Sequence, residues 1–308
     1  MLALGTIALS AAGAPAGTRD EIEKSFQVRP GGTLKFDAEL GNAEIVTGNT
    51  DTVKVEFVRE FRVPTAEEAN ELRNKLTVEM GQTDLTGTAA DGNAVKVTVR
   101  FDDDRRGARR EKVRLDFRIT MPRKFNLDLR TVGSATVGDV EGTVKASTRG
   151  GSLKMANVSG PVTARSEGGS VRIGDVGADV EARSFGGSTA IGRVTGRVVA
   201  SAEGGSVSIE EATNGVEARA AGGSVKAWIS KQPAGDSKII AEAGNIDLRL
   251  DSSVAVNVDA ACTAGRLRSD FSLNGHQVDD PGRLKSAINS GGPLVMLRAS
   301  AGNIDLHK

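Results

Sequence analysis

Two stretches one repeat apart, Gly150-Gly151-Ser152-Leu153-Lys154-Met155 and Gly168-Gly169-Ser170-Val171-Arg172-Ile173, decide how this chain folds. Gly-Gly-Ser begins at 150, 168, 186, 204 and 222, always 18 residues apart, and Gly133-Ser134 is a partial copy one period earlier. Stacking the chain at this period aligns Val144, Val162, Val180, Val198 and Val216. Two residues on stand Ala146, Ala164, Ala182, Ala200 and Ala218. After the glycines come Leu153, Val171, Thr189, Val207 and Val225, then Met155, Ile173, Ile191, Ile209 and Ala227. A fixed period kept over five copies marks stacked units, none of which can bury its apolar face alone.

Inside each period the apolar residues alternate with polar ones, the pattern of a half-buried strand. The two apolar segments lie half a period apart, so one coil reads strand, turn, strand, turn. The expected fold is all-β: a parallel β-solenoid (β-helix) of 18-residue, two-strand coils, with irregular capping coils and one short helix. The usual hand of parallel crossovers makes it right-handed. A left-handed hexapeptide helix is excluded, because it needs an aliphatic residue at every sixth position, and Val144 leads to Gly150 and Ala156. Folding back at Gly150-Gly151 sets Ala146 opposite Met155, and Ala182 opposite Ile191, small against large across the core.

The flanks are looser versions of the same unit. Leu34, Phe36 and Ala38 precede the half-coil Gly41-Asn42-Ala43-Glu44-Ile45, and Val53, Val55 and Phe57 follow it. Thr65 and Glu68 form a capping box for a helix with Ala69 and Leu72 on its apolar side. Val95, Val97, Val99 and Phe101 are expected to pair with Val113, Leu115, Phe117 and Ile119 across a charged loop, Asp102 to Arg110. Near the far end, Val254, Val256, Val258, Ala260 and Cys262 alternate as a strand, and Ala243-Gly244-Asn245-Ile246-Asp247-Leu248 recurs at 301–306. The expected organisation is a signal peptide over 1–16, an N-terminal β region with the helix over 17–131, the regular solenoid over 132–230, and irregular C-terminal coils over 231–308.

Composition narrows the function. The 308 residues carry 40 Lys and Arg against 40 Asp and Glu, so no whole-chain basic field exists for nucleic acid. There are 38 glycines, nine Phe, one Trp and no Tyr, a balance that suits a thin, repetitive β core. One Cys and two His cannot furnish a usual zinc tetrad or an internal disulfide. The apolar run Leu2 to Ala12, followed by Ala14-Pro15-Ala16, reads as the core and cleavage site of a secretory signal peptide. The run is too short to span a bilayer, which needs ~20 apolar residues.

Several elements together carry a resemblance. They are Phe26-Gln27-Val28 with Gly31-Gly32-Thr33-Leu34, then Ile119-Thr120-Met121-Pro122 leading into the Gly-Gly-Ser coils, and a closing Ser300-Ala301-Gly302-Asn303-Ile304-Asp305-Leu306. The chain resembles the bacterial β-strand-repeat domains of unknown function regarded as adhesin candidates, over most of residues 22–308. That resemblance implies a β-solenoid at or outside the cell envelope and supplies no catalytic residues. Relatives often carry Gly-Asp where this chain has Gly-Ser, which argues against an acidic ladder or a metal site.

The candidate sites are few. The serine column, Ser134 to Ser224, is expected to satisfy backbone groups at the turns. Asp102, Asp103 and Asp104 adjoin Arg105, Arg106, Arg109 and Arg110 and form a self-neutralising loop, not a calcium site. Cys262 shares parity with Val256 and Val258 and faces the core, and His276 and His307 lie in irregular segments. Phe185 points outward, and Trp228 replaces small or polar residues of earlier coils. With Arg165, Arg183 and Arg219 these two are the expected surface contacts, on a face that also shows Lys145, Glu181 and Glu217. No catalytic, cofactor-binding or metal-binding residue is expected. The reading is a non-enzymatic, exported envelope module, periplasmic or surface-exposed, adhesin-like or scaffolding. Its partner is an envelope or extracellular glycan or protein, and the mature chain has no membrane span. The alternatives are a polysaccharide lyase or hydrolase, which needs clustered carboxylates in a groove, and a self-polymerising scaffold.

Removing residues 169–186 deletes one whole coil and joins Gly168 to Gly187, so the neighbouring columns close up in register. The shortened protein is expected to fold with a modest loss in melting temperature. Removing 169–177 alone leaves a coil that cannot close and is expected to abolish the cooperative melt. Equal melts for the two deletions would refute the 18-residue coil.

Overall fold

The two apolar segments of each repeat become strands whose inner faces are buried. The computed structural model describes residues 18–83, 93–102, 110–271 and 282–308, in two compact units, Met1–Ser152 and Leu153–Lys308. Among the described residues the strands assort into two sheets of 13 strands each.

The first unit begins with β1 (Arg19–Gln27), β2 (Thr33–Ala38), β3 (Asn42–Gly48) and β4 (Thr52–Phe61). Next come α1 (Ala66–Lys75), β5 (Leu76–Gln82), β6 (Ala94–Phe101) and β7 (Val113–Pro122). It closes with β8 (Asn126–Thr131), β9 (Ala135–Val137) and β10 (Val144–Thr148). Here the first sheet runs β1-β4-β7-β3-β9 and the second runs β10-β8-β2-β6-β5. β2 is parallel to both β6 and β8, and β3 to both β7 and β9, so an early coil lies between two later ones. Outside it the pairing turns antiparallel, β4 with β7 and β1, and β5 with β6.

The expected pairing of Val95–Phe101 with Val113–Ile119 is not found. β6 belongs to the second sheet and β7 to the first. Alternation fixes which face of a strand is buried, and both strands meet that demand in either sheet. The helix is as expected: Thr65 Oγ1 accepts from the Glu68 amide at 3.3 Å, and Ala69 and Leu72 are buried. Asp20 holds it in place, receiving Arg59 at 2.7 Å and Arg73 at 3.1 Å, while the Arg73 guanidinium lies 5.1 Å above the Phe61 ring.

The second unit opens with β11 (Leu153–Met155), β12 (Val162–Ser166), β13 (Val171–Ile173), β14 (Val180–Ser184) and β15 (Thr189–Val194). β16 (Val198–Ala202), β17 (Val207–Ala212), β18 (Val216–Ala220) and β19 (Val225–Ile229) complete the regular array. β20 (Ser237–Ala241), β21 (Ile246–Leu250), β22 (Val256–Cys262) and β23 (Leu267–Ser269) follow. The last are β24 (Arg283–Ile288), β25 (Leu294–Ala299) and β26 (Ile304–His307). Parallel partners keep the repeat: Val162 meets Val180, Val180 meets Val198 and Val198 meets Val216 in one sheet. In the other, Val171 meets Thr189, Thr189 meets Val207 and Val207 meets Val225. All of these are at most 2% exposed, so the columns form the core.

A further buried column, Val158, Val176, Val194 and Ala212, continues the first-sheet side of each coil beyond a short bend. It has the same period as the others and is absent from the columns read off the sequence. After Ile229 the spacing lengthens, Ala218 pairing with Ile239 and Val225 with Ile246. The last coil is then inserted out of order: β25 lies between β20 and β22, and β26 between β21 and β23. The duplicated Gly-Asn-Ile-Asp-Leu segments are therefore immediate neighbours, with Ile246 on Ile304 and Leu248 on Leu306.

The serine column works between coils. Ser188 N donates to Ser170 Oγ at 3.2 Å, Ser206 N to Ser188 Oγ at 3.2 Å, and Ser224 N to Ser206 Oγ at 3.1 Å. Asn245 N donates to Ser224 Oγ at 3.0 Å, and Asn303 N to Asn245 Oδ1 at 2.8 Å, so the asparagines of the closing motif take over the serine role. A second hydroxyl column, buried and not anticipated, clamps the turns from inside. Ser184 Oγ accepts from Gly187 N at 3.0 Å and donates to Gly169 O at 2.8 Å.

The turn glycines are there for space, not for a left-handed backbone. Among the described residues the glycines with positive φ are Gly31, Gly41 and Gly291, none of them in the Gly-Gly-Ser turns. A Cβ on Gly187 would stand 2.5 Å from Ser170 Oγ and 2.7 Å from Ser170 N, backbone that cannot retreat without breaking the ladder. Gly187→Ala is expected to lower stability by about 1–3 kcal/mol through overpacking. Gly235→Ala, with nothing within 4 Å of its Cβ, is expected to be neutral or to add about 0.4–1 kcal/mol. Chemical denaturation of the two variants checks the contrast, and equal losses would show that the turns are not in close contact.

Candidate functional site

Outward side chains stand in columns across neighbouring coils, about 4.8 Å apart. The residues expected to contact a partner fall in different sheets. Arg165, Arg183, Phe185 and Arg219 project from the second sheet, and Trp228 from the first. On the second sheet Arg165 and Arg183 are register partners, and the Arg165 guanidinium lies 4.8 Å above the ring of Phe185, which is 42% exposed. Arg183 is paired with Glu181 at 2.8 Å, and Arg219 bridges Glu203 at 3.0 Å and Glu242 at 2.5 Å. Glu217 receives Arg197 at 3.2 Å, and Lys145 is exposed in the first unit. These arginines are already neutralised by carboxylates of their own sheet.

Trp228 has a different setting. It belongs to β19, and the facing strand β17 carries a bulge there: Ile209 pairs with Ala227 and Ala212 with Ile229, so Glu210 and Glu211 together oppose the single Trp228. A bulge re-aims the local side chains. On the other side Arg249 is the register partner of Trp228, its guanidinium 4.8 Å from the ring. Trp228 Nε1 is buried and has no hydrogen-bond partner. In the preceding coils its column position is Glu210, Gly192 and Gly174. Beside that column runs another, Arg172, Ala190, Ser208 and Lys226.

The result is a trough on the outer face of the first sheet. Gly174, Gly192, Ala190 and Ser208 form its floor, Trp228 with Arg249 one wall, and Asp175 with Arg172 the opposite side. Asp175 accepts from the Arg193 amide at 2.9 Å and takes its guanidinium at 3.0 and 3.2 Å. The Arg193 backbone bond holds the Asp175 carboxyl below the usual carboxylate range, against partial burial and with help from the guanidinium charge. Sequence reasoning picked out Trp228 and passed over Arg172, Asp175, Arg193 and Arg249. The signal available was the run of small residues, Gly174 and Gly192, in the column that ends in tryptophan.

Of the other nominated residues, Cys262 is buried in β22 as expected. His307 lies 3.1 Å from Asp270 and 3.9 Å from Asp247. The stretch 1–16, Asp103, Asp104, Arg105, Arg106, Arg109 and His276 lie outside the described residues; Asp102 closes against α1 through its amide on Lys75 O, 2.9 Å. Among the described residues no helix is long and apolar enough to cross a membrane, and no three His, Cys, Asp or Glu side chains are grouped to hold a metal ion. The trough presents an aromatic ring beside ionic groups, among them Arg172, Asp175, Lys226, Asp247 and His307.

The profile of one family, Toastrack DUF4097, matches residues 33–307, nearly the whole solenoid. The chain belongs to the Toastrack family. Among solved structures it is similar to a candidate adhesin from Parabacteroides merdae, with 11% identity, 95% of this chain and 98% of that one covered, and a TM-score of 0.40. It is also similar to a candidate cell adhesion protein from Clostridium sporogenes, at 14% identity, 92% and 98% coverage and a TM-score of 0.24. A candidate lipid-binding protein from Parabacteroides distasonis shares 11% identity over 95% and 98%, with a TM-score of 0.37. No curated protein matches the chain.

In this Toastrack chain the lowered Asp175 carboxyl makes the trough acid-sensitive. A carboxylate whose folded pKa is depressed stabilises the fold above its ordinary value, near ~3.9, and loses that contribution as pH falls through the lower folded value. Asp175→Asn keeps the acceptor oxygen and removes the charge. It is expected to melt below the parent at pH 6, the gap closing as both are acidified below about pH 3. Melting curves over that range check it, and a gap that widens on acidification contradicts the assignment.

Proposed function

We propose that this chain is an exported, non-enzymatic recognition module of the bacterial cell envelope. It offers the outer face of its solenoid to an envelope or extracellular ligand, in the manner of an adhesin. The observation that carries this reading is the trough: a lone tryptophan at a bulge, over a floor of small residues whose turns are locked coil to coil. Such a surface is preorganised, and little ordering entropy is lost when a ligand settles on it. The apolar run Leu2–Ala12 with Ala14-Pro15-Ala16 supports export, and a single cysteine fits a mature chain held together without disulfides.

General acid–base catalysis needs groups with tuned pKa values held together away from water. The arginines and carboxylates that could serve a glycan-cleaving groove are instead partnered on solvated faces. The purified protein is therefore expected to release neither reducing sugar nor unsaturated uronate from a panel of acidic and neutral glycans, with or without calcium. A tagged full-length chain is expected in the periplasmic or surface fraction with its first residues removed. Turnover that vanishes when one carboxylate cluster is mutated, or an uncleaved cytoplasmic chain, would overturn the proposal.

A further inference from the structure

Among the outward cations that make no ion pair, Arg172 and Arg249 line the trough and Lys154 stands beside it. Lys154 and Arg172 are register partners on β11 and β13, like charges side by side, an arrangement that costs stability when nothing lies between them. Neither makes an ion pair among the described residues, and neither does Arg249, which has only the Trp228 ring beside it. Lys226 stands in the same outward column as Arg172, with only Ala190 and Ser208 between, and reaches Asp247 at a loose 3.7 Å. Three strand spacings separate Arg172 from Lys226, about 14 Å. Against these stand Asp175, already held by Arg193, Asp247, placed between Lys226 and His307, and Glu210, the lining carboxylate with no cation within ion-pair distance.

We propose that the trough binds a linear acidic polysaccharide bearing uronate carboxylates, an inference that rests on the recognition reading above and names its ligand class. The charge pattern is that of a carboxylated chain lying across the strands. Arg172 and Lys226 meet carboxylates at its two ends, and the small floor leaves room for sugar rings between them. Trp228 and Arg249 form the wall. The indole face suits the C–H face of a pyranose. An exposed site of this kind binds by several weak ionic contacts at once, so its affinity falls as salt rises.

Trp228 is the single tryptophan of the chain, so intrinsic fluorescence reports on this wall alone. Oligogalacturonate is titrated into the full protein, with maltooligosaccharide of equal length and phosphatidylglycerol vesicles as the other arms. The expected result is a saturable fluorescence change with oligogalacturonate only, weakened by salt. Arg172→Glu is expected to weaken binding by about fivefold or more at a melting temperature equal to or above the parent's, since it sets opposite charges side by side with Lys154. Glu210→Gln is expected to tighten it, and Trp228→Phe to retain part of the affinity by calorimetry. Equal binding of the neutral oligosaccharide, or binding of the vesicles in place of the galacturonate, overturns the acidic-glycan proposal and leaves the recognition reading standing. Galacturonate binding seen by calorimetry but unchanged in Arg172→Glu overturns this site. Release of unsaturated uronate during the titration overturns the recognition reading itself.

Discussion

Everything in the regular coils depends on how closely one turn lies against the next. The Gly-Gly-Ser turns meet at a distance that leaves no room for a Cβ at Gly187, Gly205 or Gly223, each of which would meet the serine hydroxyl of the preceding coil at 2.5 Å. That approach is what lets each serine oxygen take the next turn's amide, and each such bond meets a backbone donor that the sheets leave over at the corner. These bonds lie at exposed corners and are each worth about 0.5–1.5 kcal/mol, so the ladder's effect comes from its repetition at every coil. The glycines and serines are therefore one device. Either without the other fails, since the hydroxyl reaches its partner only when nothing larger than hydrogen stands at the glycine.

Each unit breaks sequence order within its own array of strands. In the first unit the coil β2–β3 is flanked on both sides by strands that come later. In the second, the β25–β26 coil enters between two earlier ones. Within each unit the inserted coil ties separate stretches of chain into that unit's core, which opposes fraying of its outer strands. The outermost pairings then turn antiparallel, and the edge strand β1 is neighboured by ion pairs such as Lys54 with Glu23 and Glu56. Charge along an edge opposes the addition of a further strand.

This division explains what was legible in the sequence. The inner columns were readable because two packing periods, two along the strand and 18 along the stack, bear on the same residues. The column through Val158, Val176 and Val194 has the same period but follows a bend, outside the simple alternation that marked the others. Strand partners outside the repeat were not readable: β6 and β7 satisfy the same alternation in different sheets, because burial specifies a face and not a neighbour. The insertion of the last coil left one trace, the repeated Gly-Asn-Ile-Asp-Leu, whose meaning is plain only once Ile246 is seen against Ile304. At the surface the difficulty was of another kind. Arg165 and Arg183 are met by carboxylates two residues away, Glu167 and Glu181, whereas the partners of Arg219, Glu203 and Glu242, become evident only once the coils are set beside one another.

The same reasoning accounts for where the trough lies. In a perfectly periodic array every outward position has the same backbone surroundings as the one a coil away, so a unique depression needs a break in the period. Two breaks flank Trp228. The bulge at Glu210 and Glu211 shifts the register on one side, and the longer spacing after Ile229 changes it on the other. A large indole fits at such a place because two residues of the facing strand stand opposite it where the regular ladder would place one. Its ring can lean over coils that retain Gly174 and Gly192 at the equivalent position. Regular coils supply the rigid floor, and the interruption supplies the wall. Recognition on a solenoid of this kind is thus expected at defects of the repeat, and a chain with more perfect coils would be more stable and have fewer places to bind.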